Sequence, residues 1–483
     1  MPAEAIQPAR PAIPTKIAFG LGSTAEAIAL ASVAGYAMFY YNQVLGVPAT
    51  LSGLALTLSV FFDGFVDPFI GSISDRTKSR LGRRHPFMFA APIPTALCLW
   101  AIFNPPETLP TVWLFAWFVG FVVSLKTVMS VFQVPHLALG GELSSDYTER
   151  TRVMSYSNFM GAIGATGTGF LALTFFFDAT PEYSRGLLNP AAYAPFSIAV
   201  ALTCLAFHAT CALTTARRIP YLPKAAPETP PFRPMDFVRD VRSALSNRNY
   251  VFLLIAVFFL ALMVGLRAAM NLYINTFFWG LTSEQIRWFA FSTLAGFFVS
   301  FLGAARLHDR FDKRRAMVVC AILLGVVPAL PVILRAVGWF PTAESPTFVP
   351  LLMLFGALQA GFGSVLSISV LSALADIADQ NELRFGLRQE GVLYSTRAVF
   401  AKIDSAIGTF LAGVAIDLAG LPLKAVPGQV GADVIWKLAI IDGPVAMIPG
   451  LIAASFYARY RIDRASHEET RRKLQEWRRE RAG

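Results

Sequence analysis

The sequence contains few charged residues. Of its 483 residues, 15% are Asp, Glu, Lys or Arg, whereas 55% are hydrophobic and 41 are phenylalanine. A typical soluble protein carries about 25% charged residues, because its surface faces water. So few charges cannot cover the surface of a soluble chain of this length, and they also exclude a disordered or coiled-coil protein. The composition therefore predicts an integral membrane protein.

Cysteine and histidine are scarce as well, with four and five residues. The cysteines lie in apolar stretches without Cys-x-x-Cys or paired histidine spacing, which is typical of packing residues rather than of metal or redox groups. The sequence also lacks a phosphate-binding Gly-rich loop, a Gly-x-Ser-x-Gly elbow and a His-Glu-x-x-His pair. We therefore predict that the protein is not an enzyme and has no cofactor and no firmly indicated metal.

Apolar segments long enough to span a bilayer recur about twelve times. The hydrocarbon core is about 30 Å thick, which a helix of about 20 residues crosses. The predicted spans are residues 17–45, 51–74, 87–104, 112–140, 153–178, 192–215, 250–278, 284–304, 316–338, 347–375, 391–418 and 435–457. The pattern predicts an all-α membrane protein with two bundles of six helices.

The basic residues are distributed unevenly between the two sides of these spans. Most of the 41 Lys and Arg residues lie at the N-terminus or in every second connection. The opposite connections contain Arg185, Arg287, Arg335 and Lys424. This asymmetry follows the positive-inside rule, so both termini are predicted to be cytoplasmic, in the cell (inner or plasma) membrane. The net charge of +10 therefore gives no reason to expect nucleic acid as a partner.

An internal repeat divides the chain. Asp75-Arg76 recurs 234 positions later as Asp309-Arg310, and Glu142 recurs at the same offset as Asp376. Two matches at one offset indicate a duplicated six-helix unit. The predicted domains are an N-terminal bundle at residues 1–215, a Pro-rich cytoplasmic linker at 216–249, a C-terminal bundle at 250–457 and a charged cytoplasmic tail at 458–483.

The tail alternates charges at helical spacing. Glu468 precedes Arg472 by four residues, and Glu469 precedes Lys473 by four. Such pairs stabilise an exposed helix, so we predict a solvated helix here.

Eight ionisable residues fall within the predicted spans. Each costs about 2.5–3.5 kcal/mol at the bilayer centre, so these side chains should face one another or a water-filled cavity. For three of them, Glu26, Arg397 and Asp404, structural ion pairing inside a bundle is an equal alternative to a functional role. The eight are Glu26, Asp63, Asp67, Lys126, Arg267, Arg397, Lys402 and Asp404.

Asp63 and Asp67 are spaced i,i+4, so both carboxylates share one helix face. Two close carboxylates bind a cation between them, or one of them holds a proton. On the fourth span, Lys126, Ser130 and Gln133 form one face at i, i+4 and i+7. The Lys126 ammonium can reach the carboxylates if the two spans adjoin. Because a cation-coupled transporter requires such a carboxylate pair, we predict a cation-coupling site here.

The segment from Asp63 to Pro86 resembles a family signature. Its Asp63/Asp67-Pro pattern, Asp75-Arg76 and Arg83-Arg84 are similar to the glycoside–pentoside–hexuronide:cation symporters of the major facilitator superfamily. Further matches are Tyr36, Val134-Pro135, Glu142 and Arg388 through Lys402. The resemblance implies a major facilitator fold with a substrate site between two bundles, and secondary active transport of a sugar coupled to H⁺ or Na⁺.

The resemblance also implies residue roles. Asp63 and Asp67 match the cation-site carboxylates, Ser130 matches a hydroxyl ligand for Na⁺, and Lys402 matches the family's lysine on helix eleven. Five positions depart from the family pattern: Ala27 beside Glu26, Val66, Gln133, Leu137 and Asn158. These departures weaken the case for a galactoside and for selective Na⁺ binding.

The candidate residues form three groups. The cation-coupling group is Asp63, Asp67, Ser130 and Lys126, with Na⁺ at Asp63 and Asp67 as the metal alternative. The substrate-binding group is Glu26, Tyr36, Gln133, Asn158, Arg267, Arg397 and Lys402. The conformational-loop group is Asp75, Arg76, Arg83, Arg84, Asp309 and Arg310.

We predict cation-coupled symport of a sugar or glycoside by a monomer in the lipid bilayer. H⁺ is favoured over Na⁺, because Val66 offers no ligand oxygen and Lys126 brings a positive charge. An anionic substrate such as a uronide or a sulfonated sugar is favoured, because the intramembrane bases outnumber the acids once the carboxylate pair is neutralised. The alternatives are a lysophospholipid transporter of the same superfamily and a non-transporting membrane sensor.

Overall fold

The computed structural model describes residues 11–144, 146–222, 242, 245–310, 312–385, 390–462 and 464–482. Side chains are described within these ranges except at 147, 301, 304–310, 384–385, 390–392, 395, 464–465, 467, 477–478 and 480–482. The regular secondary structure of the described residues is entirely helical, without a β-strand. The predicted all-α fold class is confirmed.

A long helical segment lies at each predicted span. In chain order these are α1 (Ile13–Leu45), α2 (Ala49–Arg76), α3 (His85–Ile102), α4 (Thr111–Glu142), α5 (Tyr147–Phe175), α6 (Pro190–Ala216), α7 (Arg248–Phe278), α8 (Phe289–Arg310), α9 (Lys313–Ala336), α10 (Phe348–Phe385), α11 (Glu390–Ala419) and α12 (Ala432–Tyr457). A further helix, α13 (Arg464–Ala482), follows them. Within the described residues, ten helices are long and apolar enough to cross a membrane.

The helix ends follow from local sequence. Asp146 precedes α5 and accepts hydrogen bonds from the backbone N–H groups of Thr148 and Glu149. Asn247 caps α7 in the same way. Gly46 follows α1 at a φ of 85°, a left-handed conformation that glycine adopts at no steric cost. The long apolar runs between such caps are helical because lipid offers the backbone no other hydrogen-bond partner.

The described residues form two compact units. The first contains α1 to α6 together with the short segments Thr282–Arg287 and Pro422–Ala425. Within it, α1 packs on α5 through small residues, as membrane helices do. Thr24 donates to the carbonyl of Met160 at 3.2 Å, and the Ser23 and Ser157 hydroxyl groups lie 2.5 Å apart.

The second unit contains α7 to α13. Its interior is an apolar cluster contributed mainly by α7, α9, α10 and α12, with Leu366 and Ala453 among its fully buried members. The helices α7 and α11 pack closely through Gly265 and Gly408, because a Cβ atom at either position would collide with the facing backbone.

Both units contain a π-helical segment at the same repeat position. Tyr40–Leu45 ends α1, and Ile274–Phe278 ends α7. Their first residues are separated by the offset that relates Asp75 to Asp309. This backbone feature agrees with the predicted duplication.

Several smaller expectations can be compared with the structure. All four cysteines are free and buried, which agrees with packing roles. In α13, Lys473 pairs with Glu469 at 2.6 Å, as the charge pattern predicts, and Arg472 lies 4.0 Å from Glu476. Most of the predicted linker lies outside the described residues.

Candidate functional site

The centre of the candidate site is a hydrogen bond between α2 and α4. The Ser130 hydroxyl donates to Oδ1 of Asp63 at 2.9 Å, and both side chains are buried. Ser130 also lies 3.1 Å from the carbonyl of Lys126, one turn earlier in α4. A hydroxyl has one proton, and a carboxylate is the stronger acceptor. The structure therefore brings together two members of the predicted cation-coupling group.

Both helices carry a proline near this contact. Pro68 lies inside α2 and Pro135 lies inside α4. Proline has no backbone N–H, so it cannot donate to the carbonyl four residues earlier. In α2 that carbonyl belongs to Gly64, directly after Asp63. The site thus combines a buried carboxylate with a backbone oxygen that receives no intrahelical hydrogen bond from Pro68.

The remaining polar candidates of the first unit are less enclosed. Asp67, Lys126, Gln133 and Glu26 are half-buried. Asn158 on α5 is exposed. Asp67 lies one turn after Asp63, and Lys126 lies one turn before Ser130, so these two flank the buried contact along their own helices.

Tyr36 lies in a different environment from the polar candidates. Its ring stacks on Phe177 and meets the edge of Phe196, each with centroids 5.2 Å apart. The side chain is 4% exposed, and its hydroxyl points to the carbonyl of Gly169 at 3.5 Å. The geometry is that of an aromatic packing residue, so a substrate contact by Tyr36 stays a prediction.

Arg267 is used for helix packing in the second unit. Its guanidinium donates to the carbonyl groups of Leu324 and Gly325 in α9, and of Asp442 and Gly443 in α12, at 2.9–3.3 Å. Four acceptors on two helices account for most of its donors. This arrangement favours a structural role over the predicted substrate contact.

The same arrangement contains an acid that the sequence reasoning missed. Asp442 lies within α12, in the π-helical segment Ile441–Val445 that Arg267 binds. Its position inside an apolar span was visible in the sequence, so the count of eight intramembrane ionisable residues is wrong. Asp442 adds one acid beside one base.

The candidates on α11 differ in exposure. Lys402 is exposed, Arg397 is half-buried and Asp404 is buried. The described part of the chain contains no hydrogen bond or ion pair to Asp404. The alternative in which Asp404 forms a structural ion pair is therefore not supported by the described residues.

The conformational-loop residues of the first unit form a compact charged network. Arg84 lies 2.9 Å from Oε1 of Glu142 and 2.5 Å from Oδ1 of Asp75. Arg83 lies 2.8 Å from the same Glu142 oxygen. Ser74, which the sequence reasoning missed, accepts from Arg84 at 2.6 Å. The structure thus joins Asp75, Arg83 and Arg84, while Arg76 is exposed.

The second unit has a related ion pair. Lys313 donates to both carboxylate oxygens of Asp376, at 2.7 and 2.9 Å. Asp376 is the repeat counterpart of Glu142, so in both units this acid binds a base after the second helix of the unit. The side chains of Asp309 and Arg310 lie outside the described residues.

His85 and His136 are both interior residues. His136 Nε2 lies 2.9 Å from the carbonyl of Phe19, which agrees with a satisfied interior histidine. His85 is fully buried, with Nε2 3.1 Å from the Thr215 hydroxyl. Although His85 directly follows the basic pair Arg83-Arg84, its ring therefore packs against α6 and is not solvated.

Known proteins resemble the chain over nearly its whole length. An uncharacterised symporter of Synechocystis sp. is 25% identical and covers 95% of this chain and 96% of its own. The isoprimeverose transporter of Lactiplantibacillus pentosus is 25% identical, with coverage of 84% and 80%. The inner membrane symporter YicJ of Escherichia coli is 24% identical, with coverage of 92% and 91%.

Solved structures show the same fold. A mutant of the nucleoside transporter NupG matches with a TM-score of 0.64 at 10% identity, over 93% of this chain and 100% of its own. A bacterial homologue of the lysosomal transporter Spinster matches with a TM-score of 0.61 at 14% identity, over 92% and 96%. At these identities the likeness concerns the fold alone. Residues 18–464 match the family described as MFS/sugar transport protein, and the chain therefore belongs to this family of multi-pass membrane transporters.

Proposed function

We propose that this protein is a cation-coupled symporter of a sugar or glycoside, with the coupling cation at Asp63. The observation that carries the proposal is the Ser130–Asp63 hydrogen bond. It orients a buried carboxylate inside a membrane helix, where ionisable residues are costly and mark ion or substrate pathways. The saccharide class is supported by relatives named for isoprimeverose and lactose.

The proposed cation is H⁺. The side chain of Val66, beside Asp67, has no oxygen, and Lys126 carries a positive charge one turn from Ser130. Na⁺ needs several oxygen ligands, whereas a proton needs one carboxylate. When Asp63 binds a proton, its carboxyl group can either donate a hydrogen bond to the Ser130 hydroxyl or accept one from it. Saturable stimulation of uptake by Na⁺ at constant pH would contradict this assignment.

The proposed substrate is an anionic saccharide, such as a uronide. After neutralisation of the Asp63/Asp67 pair, the three bases Lys126, Arg397 and Lys402 outnumber the two acids Glu26 and Asp404. Arg267 and Asp442 lie together and leave this balance unchanged. An anion would balance this excess through charge-assisted hydrogen bonds to Lys402. Equal competition by neutral glycosides and by their uronates, with unchanged binding by Lys402→Gln, would overturn this part.

The first experiment identifies a ligand. Purified protein is screened by thermal shift against neutral sugars, uronates, sulfonated sugars and lysophospholipids, because a bound ligand raises the melting temperature by mass action. A saccharide hit is expected. A lysophospholipid as the sole hit would support the lipid-transport alternative instead.

The second experiment tests coupling. Proteoliposomes containing the wild type should accumulate the ligand under an inward proton gradient, and an uncoupler should abolish accumulation. Asp63→Asn should lose concentrative uptake but keep ligand binding. Asp433→Asn is the matched control, because Asp433 is exposed and pairs with Lys437. Full accumulation by Asp63→Asn, or binding without any transport by the wild type, would overturn the proposal.

The proposed orientation places both termini in the cytoplasm of the cell, with the protein in the inner or plasma membrane. The uneven distribution of Lys and Arg supports it. A C-terminal green fluorescent protein fusion should fluoresce, and a C-terminal alkaline phosphatase fusion should be inactive. An active phosphatase fusion would reverse the orientation.

A further inference from the structure

Asp404 is a buried acid near the middle of a membrane helix. It lies 14 residues after the first residue of α11, which runs from Glu390 to Ala419. Its side chain is 2% exposed, and its Oδ2 atom is enclosed without a hydrogen-bond donor among the described residues. The residue belongs to the second unit, whereas the Asp63–Ser130 contact belongs to the first.

Two other acids of the second unit have a cation beside them. Asp376 binds Lys313 through both oxygens. Asp442 lies beside Arg267, which binds its backbone carbonyl. Within the part of the chain that the structure describes, Asp404 has neither an ion pair nor a hydrogen bond. Among the described residues, Asp404 therefore lacks the neighbouring cation that Asp376 and Asp442 have.

The elements packed against α11 are α7, α10 and the first part of α12. Counting only residues whose side chains the structure describes, the titratable and charged residues of these elements and of α11 itself are Arg248, Tyr250, Arg267, Tyr273, Asp376, Asp379, Glu382, Tyr394, Arg397, Lys402, Asp417, Asp433 and Lys437. Several have other described partners. Tyr250 donates to the carbonyl of Leu393, and Tyr394 donates to that of Leu371. None of the residues on these elements contacts Asp404 among the described interactions.

The surroundings of Asp404 are tightly packed. Gly408, one turn later on α11, lies against the carbonyl of Leu262 in α7. Gly265 of α7 lies against the carbonyl of Ser405, the residue that follows Asp404. Because the two backbones touch at this level, α7 and α11 cannot approach each other more closely to bring a partner to Asp404.

An ionised carboxylate in such a place is strongly unfavourable. Removing a charge from water without a partner costs far more than removing a neutral group, so a buried acid without a cation takes up a proton instead. We propose that Asp404 is a proton-binding site of the second unit, separate from the Asp63–Ser130 contact, and that it holds a proton while it is enclosed as it is here. This assignment does not depend on which substrate the protein transports.

Infrared spectroscopy tests this directly. The full chain in lipid is measured at neutral pH as wild type, Asp404→Asn, Asp404→Glu and Asp433→Asn. The spectrum of the wild type minus Asp404→Asn should contain a carboxylic acid C=O stretching band that shifts to lower frequency in D₂O. Asp404→Glu should move this band rather than remove it. Asp433→Asn, an exposed control, should remove carboxylate bands alone.

The opposite result is equally clear. If Asp404→Asn removes carboxylate bands and leaves the acid region unchanged, Asp404 is ionised and the proposal is wrong. If Asp404→Asn does not fold, Asp404→Glu decides the question. A displaced acid band then supports the proposal, and a displaced carboxylate band overturns it. A failure of sugar transport would affect neither reading, since the bands report protonation alone.

Discussion

The Arg84 guanidinium donates to Oε1 of Glu142 at 2.9 Å, which joins the loop after α2 to the end of α4. Arg83 uses the same oxygen. Glu142 is the first acid of the repeat pair Glu142 and Asp376, and both acids bind a base that follows the second helix of their unit. In each unit, a base that follows the second helix therefore binds an acid on the fourth helix.

Arg84→Ala should destabilise the first unit markedly. Arg84 is 6% exposed and binds Asp75, Ser74 and Glu142. Breaking a buried ion pair by removing one partner costs about 3–5 kcal/mol, and the remaining Arg83–Glu142 pair should reduce this to about 2–3 kcal/mol. Melting temperature in detergent measures the effect.

The matched control for this variant is Arg76→Ala. Arg76 belongs to the same predicted loop group but is exposed, so its replacement should change stability by less than about 0.5 kcal/mol. Equal losses of stability for Arg84→Ala and Arg76→Ala would contradict the stabilising role assigned to the buried contacts of Arg84.

Ser130→Ala should weaken coupling without abolishing ligand binding. The hydroxyl donates to the Asp63 carboxylate, and a hydrogen bond to a charged group contributes about 1.5–3 kcal/mol. The proton concentration that gives half-maximal uptake should therefore change by about tenfold or more. Uptake in proteoliposomes as a function of pH measures this.

Ser59→Ala is the control for the serine variant. Ser59 is equally buried on α2, but its hydroxyl donates to the carbonyl of Leu56 in its own helix. Its replacement should leave the pH profile unchanged. A shift in both profiles would indicate a general effect of losing a buried hydroxyl rather than a coupling role for Ser130.

The positions of the membrane helices could be predicted from the sequence, because the bilayer imposes both the length and the apolar character of a span. For Ser130 and Asp63, the sequence could predict only that the two side chains lie near each other if their helices adjoin, and not that they form a hydrogen bond. Helical spacing shows which residues share a face, but it does not show which two helices adjoin.

Arg267 marks the limit of such reasoning. Its partners are backbone carbonyl groups of α9 and α12. Every residue has such a carbonyl, so the sequence does not show which ones accept hydrogen bonds from Arg267. From the sequence, the side chain therefore looks like an unpaired intramembrane base, although four backbone carbonyl groups bind it. Asp442 is different, because its place inside an apolar span was visible and was overlooked.

Arg267→Lys should destabilise the second unit although the charge is kept. A lysine has three donors at one point and cannot span the carbonyl groups of Gly325 and Gly443 together with those of Leu324 and Asp442. We expect a loss of about 2–4 kcal/mol, from several charge-assisted hydrogen bonds. Thermal unfolding measures it, and Arg248→Lys, at the first residue of α7, should have almost no effect.

Gly408→Val should disrupt the packing of α7 on α11. A side chain here would collide with the backbone of Leu262, which cannot move aside as a flexible side chain could. Overpacking usually costs about 1–3 kcal/mol, and more where backbone must shift. Gly303→Val on α8 is the control, because a Cβ atom there meets nothing within 4 Å. Similar melting temperatures for both variants would contradict the close approach.

Leu474→Ala should release the C-terminal helix from the second unit. The helix α13 packs against α10, and Leu474 is 4% exposed whereas its neighbours Lys473 and Gln475 are exposed. Truncating a buried leucine costs about 2–5 kcal/mol, which is large for a docked helix of this length. Limited trypsin digestion should cut the tail of Leu474→Ala faster than that of the wild type.

Glu469→Gln is the control, because it removes only the exposed pair with Lys473 that holds the pKa of Glu469 below its usual value. The control should be digested like the wild type, and faster digestion of the control than of Leu474→Ala would assign the docking to charge rather than to the buried leucine.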